Sequence, residues 1–413
     1  MLNREPIKPH HKEADQMNLA LKLIIRPIIL LFLTTFIFTA CGIKSNRGMN
    51  QSSPYQKGMF SSVYPLDIPD KGLDTTFAKI LIPDQESITG GDGTYSIALP
   101  DGRSIFLMGD SYTGPVTHGS RSLSDHMFRN SYILYDKGHV TAMVDALGEN
   151  TSAAVPPGVT NEHEKWYWPG HGFARENTLY IFQTLMVQGE PGMWGFRYKT
   201  TDILEYSLPD ITLKSTKTIP FEGSPDVHFG MAVLDDRDYI YIYAQVDVDN
   251  GWNPVSEALV ARTTIDQLYT DWEYYDGSSW SPRASDAARM EGLSTVPVSS
   301  QFTVFKLKDT YVLLTQSKKF NSGEIYTFIA DHPQGPWYNK RLIHKIEGQE
   351  DPKLFTYNAT AHPQFEKDGK ILISYNVNHE DFVKQHADVS TYRPRFLWID
   401  TTKIVDRQTG VDP

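Results

Sequence analysis

The chain has one cysteine, Cys41, in 413 residues. An intrachain disulfide framework and a paired-cysteine metal site are therefore excluded. Basic side chains are also scarce. The net charge is −11, and it becomes −13 once residues 1–41, with five basic and three acidic side chains, are set aside. That balance argues against a nucleic-acid backbone or an anionic membrane surface as partner. No Gly-x-Ser-x-Gly nucleophile elbow is present, and Gly90-Gly91-Asp92-Gly93 lacks the strand–turn–helix setting of a phosphate loop. Beyond about Tyr64 there is no long helical periodicity. Only Ile265 to Tyr269 reads as a single helical turn.

The N-terminal part follows a basic, apolar, small-residue order. Lys22 and Arg26 precede the apolar run Pro27 to Ile37, which is too short for a membrane-spanning helix, and Phe38-Thr39-Ala40-Cys41-Gly42 follows. The ending resembles a bacterial lipoprotein signal. That likeness implies lipidation of Cys41, which becomes the new N-terminus at the cell envelope, periplasmic or surface-exposed. A plain secretory signal cut nearby is the other reading, and Met17 is an alternative start. The expected organisation is a signal over 1–41, a polar tether over 42–63 and one folded domain over 64–413.

What the chain has in quantity is turns and β-formers: 29 Gly, 25 Pro and 12% aromatic residues. A hairpin recurs at intervals of about 60–80 residues, which predicts an all-β, five-bladed β-propeller. Four or six blades are also compatible with the weak boundaries. The predicted hairpin turns centre on Asp101-Gly102, Glu176-Asn177, Asp236-Arg237, Lys308-Asp309 and Asp368-Gly369.

A propeller gathers the starts of its inner strands at one channel mouth. Overlaying the hairpins places Asp92, His171, His228, Gln301 and His362 at those starts. Asp110, Gln183, Gln245, Gln316 and Asn376 fall at the ends of the second strands. Carboxylates, imidazoles and amides suit a sugar-binding cleft, with aromatics such as Tyr95, Tyr112, Trp166, Trp168, Trp194, Phe229 and Tyr375 available to stack on sugar faces or fill the core. His171, His228 and His362 would contact hydroxyls or hold a structural channel metal; no cofactor is required. Asp92 and Asp110 are expected about 5–8 Å apart across the first hairpin. Glycoside hydrolysis uses two carboxyls at about 5–5.5 Å or roughly 6.5–9.5 Å. With Asp101-Gly102 as the turn centre, Asp92 opposes Ser111 and the two acids point to opposite faces, unless Gly90, Gly91 and Gly93 supply a bulge. Glu222, Asp226, Glu324 and Glu380 are reserve acids.

The motifs Gly91-Asp92-Gly93-Thr94-Tyr95-Ser96, Leu99-Pro100-Asp101-Gly102-Arg103, Phe106 to Ser111, Arg129-Asn130-Ser131, Tyr357 to Pro363 and Ile373 to Asn378 carry a family likeness. It resembles secreted five-bladed propellers long grouped as domains of unknown function. Some relatives form glycoside hydrolase family 183, endo-D-arabinanases; families 43 and 32 are more distant. The resemblance covers roughly residues 75–400. It implies the propeller fold, a polysaccharide or oligosaccharide substrate, and Asp92 with Asp110 as the catalytic pair. The chain's own insertions, between Gly114 and Arg129 and around Ala153 to Trp168, shape the cleft and leave the sugar open. A non-catalytic glycan-binding propeller lipoprotein is the rival reading. A scaffold propeller with a protein partner is a third.

Overall fold

The computed structural model describes residues 72–405 except 149, 193–194, 249–254, 320–321 and 348–350. Cys41, the signal and tether region and Trp194 lie outside the described residues.

Nearly all regular structure is antiparallel sheet. The first repeat contains β1 (Gly90–Gly91), β2 (Tyr95–Ala98), β3 (Ser104–Met108), β4 (Ser111–Tyr112), β5 (Met127–Phe128), β6 (Ser131–Asp136) and β7 (His139–Met143). Strands β2-β3-β6-β7 form one sheet, and β1-β4-β5 form a small one at its inner end. The second sheet is β8 (Lys165–Arg175), β9 (Thr178–Gln188), β10 (Phe196–Ser207) and β11 (Thr212–Thr218). The third is β12 (Val227–Asp236), β13 (Tyr239–Val248), β14 (Val255–Thr263), β15 (Glu273–Tyr275) and β16 (Trp280–Ser281). The fourth is β17 (Thr303–Leu307), β18 (Thr310–Gln316), β19 (Glu324–Ala330) and β20 (Tyr338–Lys345). The last is β21 (Leu354–Lys367), β22 (Lys370–His379) and β23 (Arg395–Asp400). Among the described residues the helices are short: α1 (Thr75–Leu81), α2 (Phe382–Ala387) and α3 (Thr402–Val405), with 3₁₀ turns that include Ile265–Gln267 and Val389–Tyr392.

The architecture is a β-propeller. The first strands of five successive sheets touch in order, β2 to β8, β8 to β12, β12 to β17, β17 to β21, and β21 back to β2. An apolar cluster fills each joint. Tyr95, Ile97 and Leu107 meet Tyr167 and Ile181; Phe182 and Ile203 meet Phe229 and Ile242; Tyr243 and Val260 meet Leu313 and Phe328. Val312 and Ile329 meet Ile371 and Ile373, and Phe106 and Ile133 meet Leu372 and Phe396 beneath Phe77 of α1. A strand covered on both faces is apolar throughout, as in Ile105-Phe106-Leu107-Met108, whereas outer β7 has no buried residue and outer β11 is largely exposed. The ring is tied at its seam. Leu73 bridges Leu397, the Asp74 N–H donates to Phe396 O at 2.7 Å, and the Asp74 carboxylate accepts from Trp398 Nε1 at 2.5 Å while capping α1.

Two hairpin turns differ from the sequence expectation. In the third sheet Asp236 pairs with Tyr239, so the turn is Arg237-Asp238. In the first, Leu99 N–H bonds Arg103 O and Gly102 N–H bonds Leu99 O, giving a three-residue loop with Gly102 at φ +89. Proline at 100 presets the turn and left-handed Gly102 closes it. This single extra loop residue changes what faces what at the channel mouth.

Candidate active site

The first-hairpin register pairs Tyr95 with Leu107, and the small sheet pairs Gly91 with Ser111. Both registers place Asp92 level with Asp110, not with Ser111. The expected difficulty of opposite faces does not arise, because the loop is one residue longer than a two-residue turn. Between the two ladders the strand breaks at Gly93, φ +66, and Gly109 N–H donates to Asp92 O at 2.7 Å. A Cβ on Gly109 would stand 2.5 Å from Asp92 Oδ1, so glycine there makes room for the carboxyl.

The two acids have different surroundings. Asp92 Oδ2 accepts from the Tyr357 hydroxyl at 2.5 Å, and the Tyr392 phenol stands near enough to draw the Asp92 pKa down. No cation among the described residues is paired with it. Burial, then the neighbouring Asp110 charge, push its pKa up to about 7, against the smaller pull of the two tyrosines. Asp110 Oδ1 accepts from Trp168 Nε1 at 2.9 Å, and Arg129 Nη1 lies 3.6 Å from Oδ2. Burial raises the Asp110 carboxyl as well, but Arg129 and Trp168 draw it back. The proton of the pair therefore belongs on Asp92. Arg129 is itself seated 4.4 Å over the Trp166 ring.

A second layer orients these groups. Gln385 Nε2 donates to Asn378 Oδ1 at 2.7 Å, Asn378 Nδ2 to the Tyr357 hydroxyl at 3.3 Å, and Tyr357 to Asp92. Burial and the two carboxylates raise the Tyr357 and Tyr392 phenols far above their ordinary value, so both remain donors. The Tyr392 hydroxyl also donates to Asp110 O at 3.0 Å.

The other expected site residues divide into two groups. Trp168 belongs to the site, and Gln301 stands beside it. Gln301 Nε2 donates to Pro169 O at 3.1 Å and its Oε1 accepts from Asn358. His228 stacks 3.9 Å from the Tyr198 ring and remains partly exposed. His362, Tyr95 and Asn376 are interior. Ser96 Oγ and Ser374 Oγ occupy both nitrogens of His362, Tyr95 donates to Met231 O, and Asn376 joins Thr94 to Asn358. His171 bridges Ser96 O and Val233 N–H, joining three sheets. Burial lowers the pKa of His171 to about 4 and that of His362 to about 3. Gln183, Gln245 and Gln316 are also buried and bonded inside. Among the described residues no group of three His, Cys, Asp or Glu side chains is placed to hold a metal ion.

The misplacement has a structural cause. In the last sheet Tyr357, not His362, pairs with Asn376 at the inner end. Tyr357, five residues before His362, is therefore the residue of that hairpin at the mouth, and it is the tyrosine that holds Asp92. In the second sheet Pro169 pairs with Gln183, and His171 sits in the bulge that follows. Arg129 and Tyr392 come from connections outside the repeat. Arg129 lies in the Arg129-Asn130-Ser131 motif, a signal that was available.

From Tyr357 an open groove of about 240 Å³ runs between the fourth and fifth sheets, past Ser300, Lys318, Lys319 and Phe355.

Residues 74–401 match the family described as Domain of unknown function (DUF5005), and the chain belongs to that family. No curated protein matches the sequence. Among solved structures it is similar to a candidate hydrolase from Bacteroides ovatus ATCC 8483, with TM-score 0.66 and 21% identity over 82% of this chain and 92% of that one. Weaker likenesses include Bacillus subtilis levansucrase, TM-score 0.44 and 12% identity over 76% of this chain and 84% of that one. Another is a Phanerochaete chrysosporium exo-β-1,3-galactanase, TM-score 0.43 and 13% identity over 75% and 60%.

Proposed function

We propose that this member of the DUF5005 family is a glycoside hydrolase whose catalytic pair is Asp92 and Asp110. The observation that carries the reading is the unequal environment of two adjacent carboxyls. One has no cation partner among the described residues and holds a proton near neutral pH; the other faces Arg129. Glycosidic cleavage needs that asymmetry. Asp92 gives its proton to the glycosidic oxygen as the anomeric C–O bond breaks. Asp110 supplies the electron pair, either to the anomeric carbon or to the water that attacks it. Water's hydroxyl ends on the sugar. When Asp110 attacks the anomeric carbon, the proton of the water that later releases the sugar restores Asp92; when Asp110 activates the water directly, it takes that proton, and exchange with solvent moves the proton from Asp110 and returns one to Asp92. Tyr357 and Tyr392 hold the acid, Arg129 keeps its partner ionised, and Trp168 orients that partner.

The substrate we propose is a polysaccharide, and the family-183 likeness places arabinofuranans among the candidates beside glycans that carry charged sugars. Attachment to the bacterial envelope through a lipid on Cys41 is proposed from the sequence alone. The test is release of reducing ends from a polysaccharide panel that includes D-arabinan and L-arabinan. Product from at least one glycan is expected. A panel with glycan binding and no product would favour the non-catalytic propeller.

A further inference from the structure

The groove beside Tyr357 has a chemistry of its own. We propose that it is a sugar subsite adjoining the carboxylate pair and that Lys319 selects a sugar bearing one anionic group, a uronate being the simplest. The subsite rests on the hydrolase reading for its direction, since it names the sugar next to the bond that Asp92 protonates.

Continuity is the first support. The Tyr357 ring borders the groove while its hydroxyl holds Asp92, so the groove begins where the carboxylates end. The Phe355 ring lies 5.4 Å from the Tyr357 ring at 31°, extending one aromatic surface outward. Such a surface accepts the apolar face of a pyranose or furanose. Hydrogen-bonding capacity is the second. The partly exposed Ser300 hydroxyl has no partner among the described residues, and Ser317 contributes a hydroxyl at the groove wall.

Charge is the third support, and it decides the class. Lys318 Nζ is occupied by Asp247 Oδ1 at 2.6 Å. Exposed Lys319 has no carboxylate partner among the described residues, although acids outnumber bases in the chain. An unpaired ammonium with three donors, beside an aromatic sugar platform, answers a carboxylate on the sugar rim. One cation in an acidic protein matches one charged substituent, not a polyanion.

The experiment uses the full chain carrying Asp92→Asn, so that ligands persist. Calorimetric titration compares trisaccharides that carry a single galacturonate, glucuronate or mannuronate residue on a neutral disaccharide with their methyl esters. At least one acid form is expected to bind up to about fivefold more tightly than its ester. Lys319→Gln should erase that preference and leave ester binding unchanged, whereas Phe355→Ala should weaken both forms. Equal binding of acid and ester, a preference that survives Lys319→Gln, or no binding of any trisaccharide would overturn the proposal. The hydrolase reading fails separately. A wild-type chain that prefers the acid forms and cleaves nothing keeps the subsite and loses the enzyme.

Discussion

Replacing Asp92 by asparagine should stabilise the protein at neutral and alkaline pH. The Asp92 carboxyl has a pKa near 7 in the fold against an ordinary 3.8. Ionising it in place therefore costs about 4 kcal/mol. The side chain keeps some solvent exposure, so screening reduces this to roughly 2 kcal/mol. The sign follows from proton binding. Between pH 4 and 7 the folded state holds a proton that the unfolded state has lost, so stability falls as pH rises through this window and levels off above it. Asparagine keeps an acceptor for Tyr357 and removes the charge. At pH 8 the variant should be more stable by about 2 kcal/mol, or roughly 4 °C in Tm for a domain of this size. At pH 4 the two proteins should differ by less than about 0.5 kcal/mol. The assay is a set of denaturant or thermal melts at five pH values. A variant less stable at pH 8, or a difference independent of pH, would refute the claim that Asp92 carries a displaced proton.

Further outcomes follow from the same contacts. Tyr357→Phe removes a hydrogen bond that lowers the Asp92 pKa, so the alkaline limb of the pH–rate profile should move upward from about 7; an unmoved limb would show that Asp92 is not the titrating acid. Arg129→Met leaves Asp110 without its cation, so the acid limb should move upward and kcat/KM should fall about 10- to 100-fold; steady-state kinetics across pH checks both. The neutral, buried His171 and His362 oppose acid. Below pH 6.5 the unfolded chain binds protons that they refuse, so stability should fall by up to about 3 kcal/mol per pH unit towards pH 4. His362→Asn should halve that slope, as chemical denaturation at stepped pH would show.

The fold was legible because its signal repeats. Apolar strand pairs around polar turns recur, and the two-residue turns Glu176-Asn177, Lys308-Asp309 and Asp368-Gly369 stand where the pattern places them. Asp92 and Asp110 were legible for the same reason, since a hairpin brings its ends together whatever its loop. Their facing was not. Whether Pro100-Asp101-Gly102 closes as two residues or three depends on the Gly102 N–H reaching Leu99 O, and no periodicity encodes that. The last hairpin misled because β21 is 14 residues long and passes the mouth at Tyr357 before reaching His362. The small helices escaped notice for a different reason. α1 and α2 are held by caps, Asp74 and Asp381, and by tertiary packing, and their few residues show no helical period. Tyr392 arrives through such a connection, so its place beside the carboxylates belongs to tertiary structure alone.

The central claim is that Asp92 and Asp110 cleave a glycosidic bond together. The most direct measurement is single-turnover cleavage of the best glycan from the panel by wild type, Asp92→Asn and Asp110→Asn, with glycan binding measured on the same samples. Both variants should bind the glycan and cut it at least about 10³-fold more slowly, and the double variant should be little worse than either single one. Full cleavage by either variant, with folding and binding intact, would contradict the account.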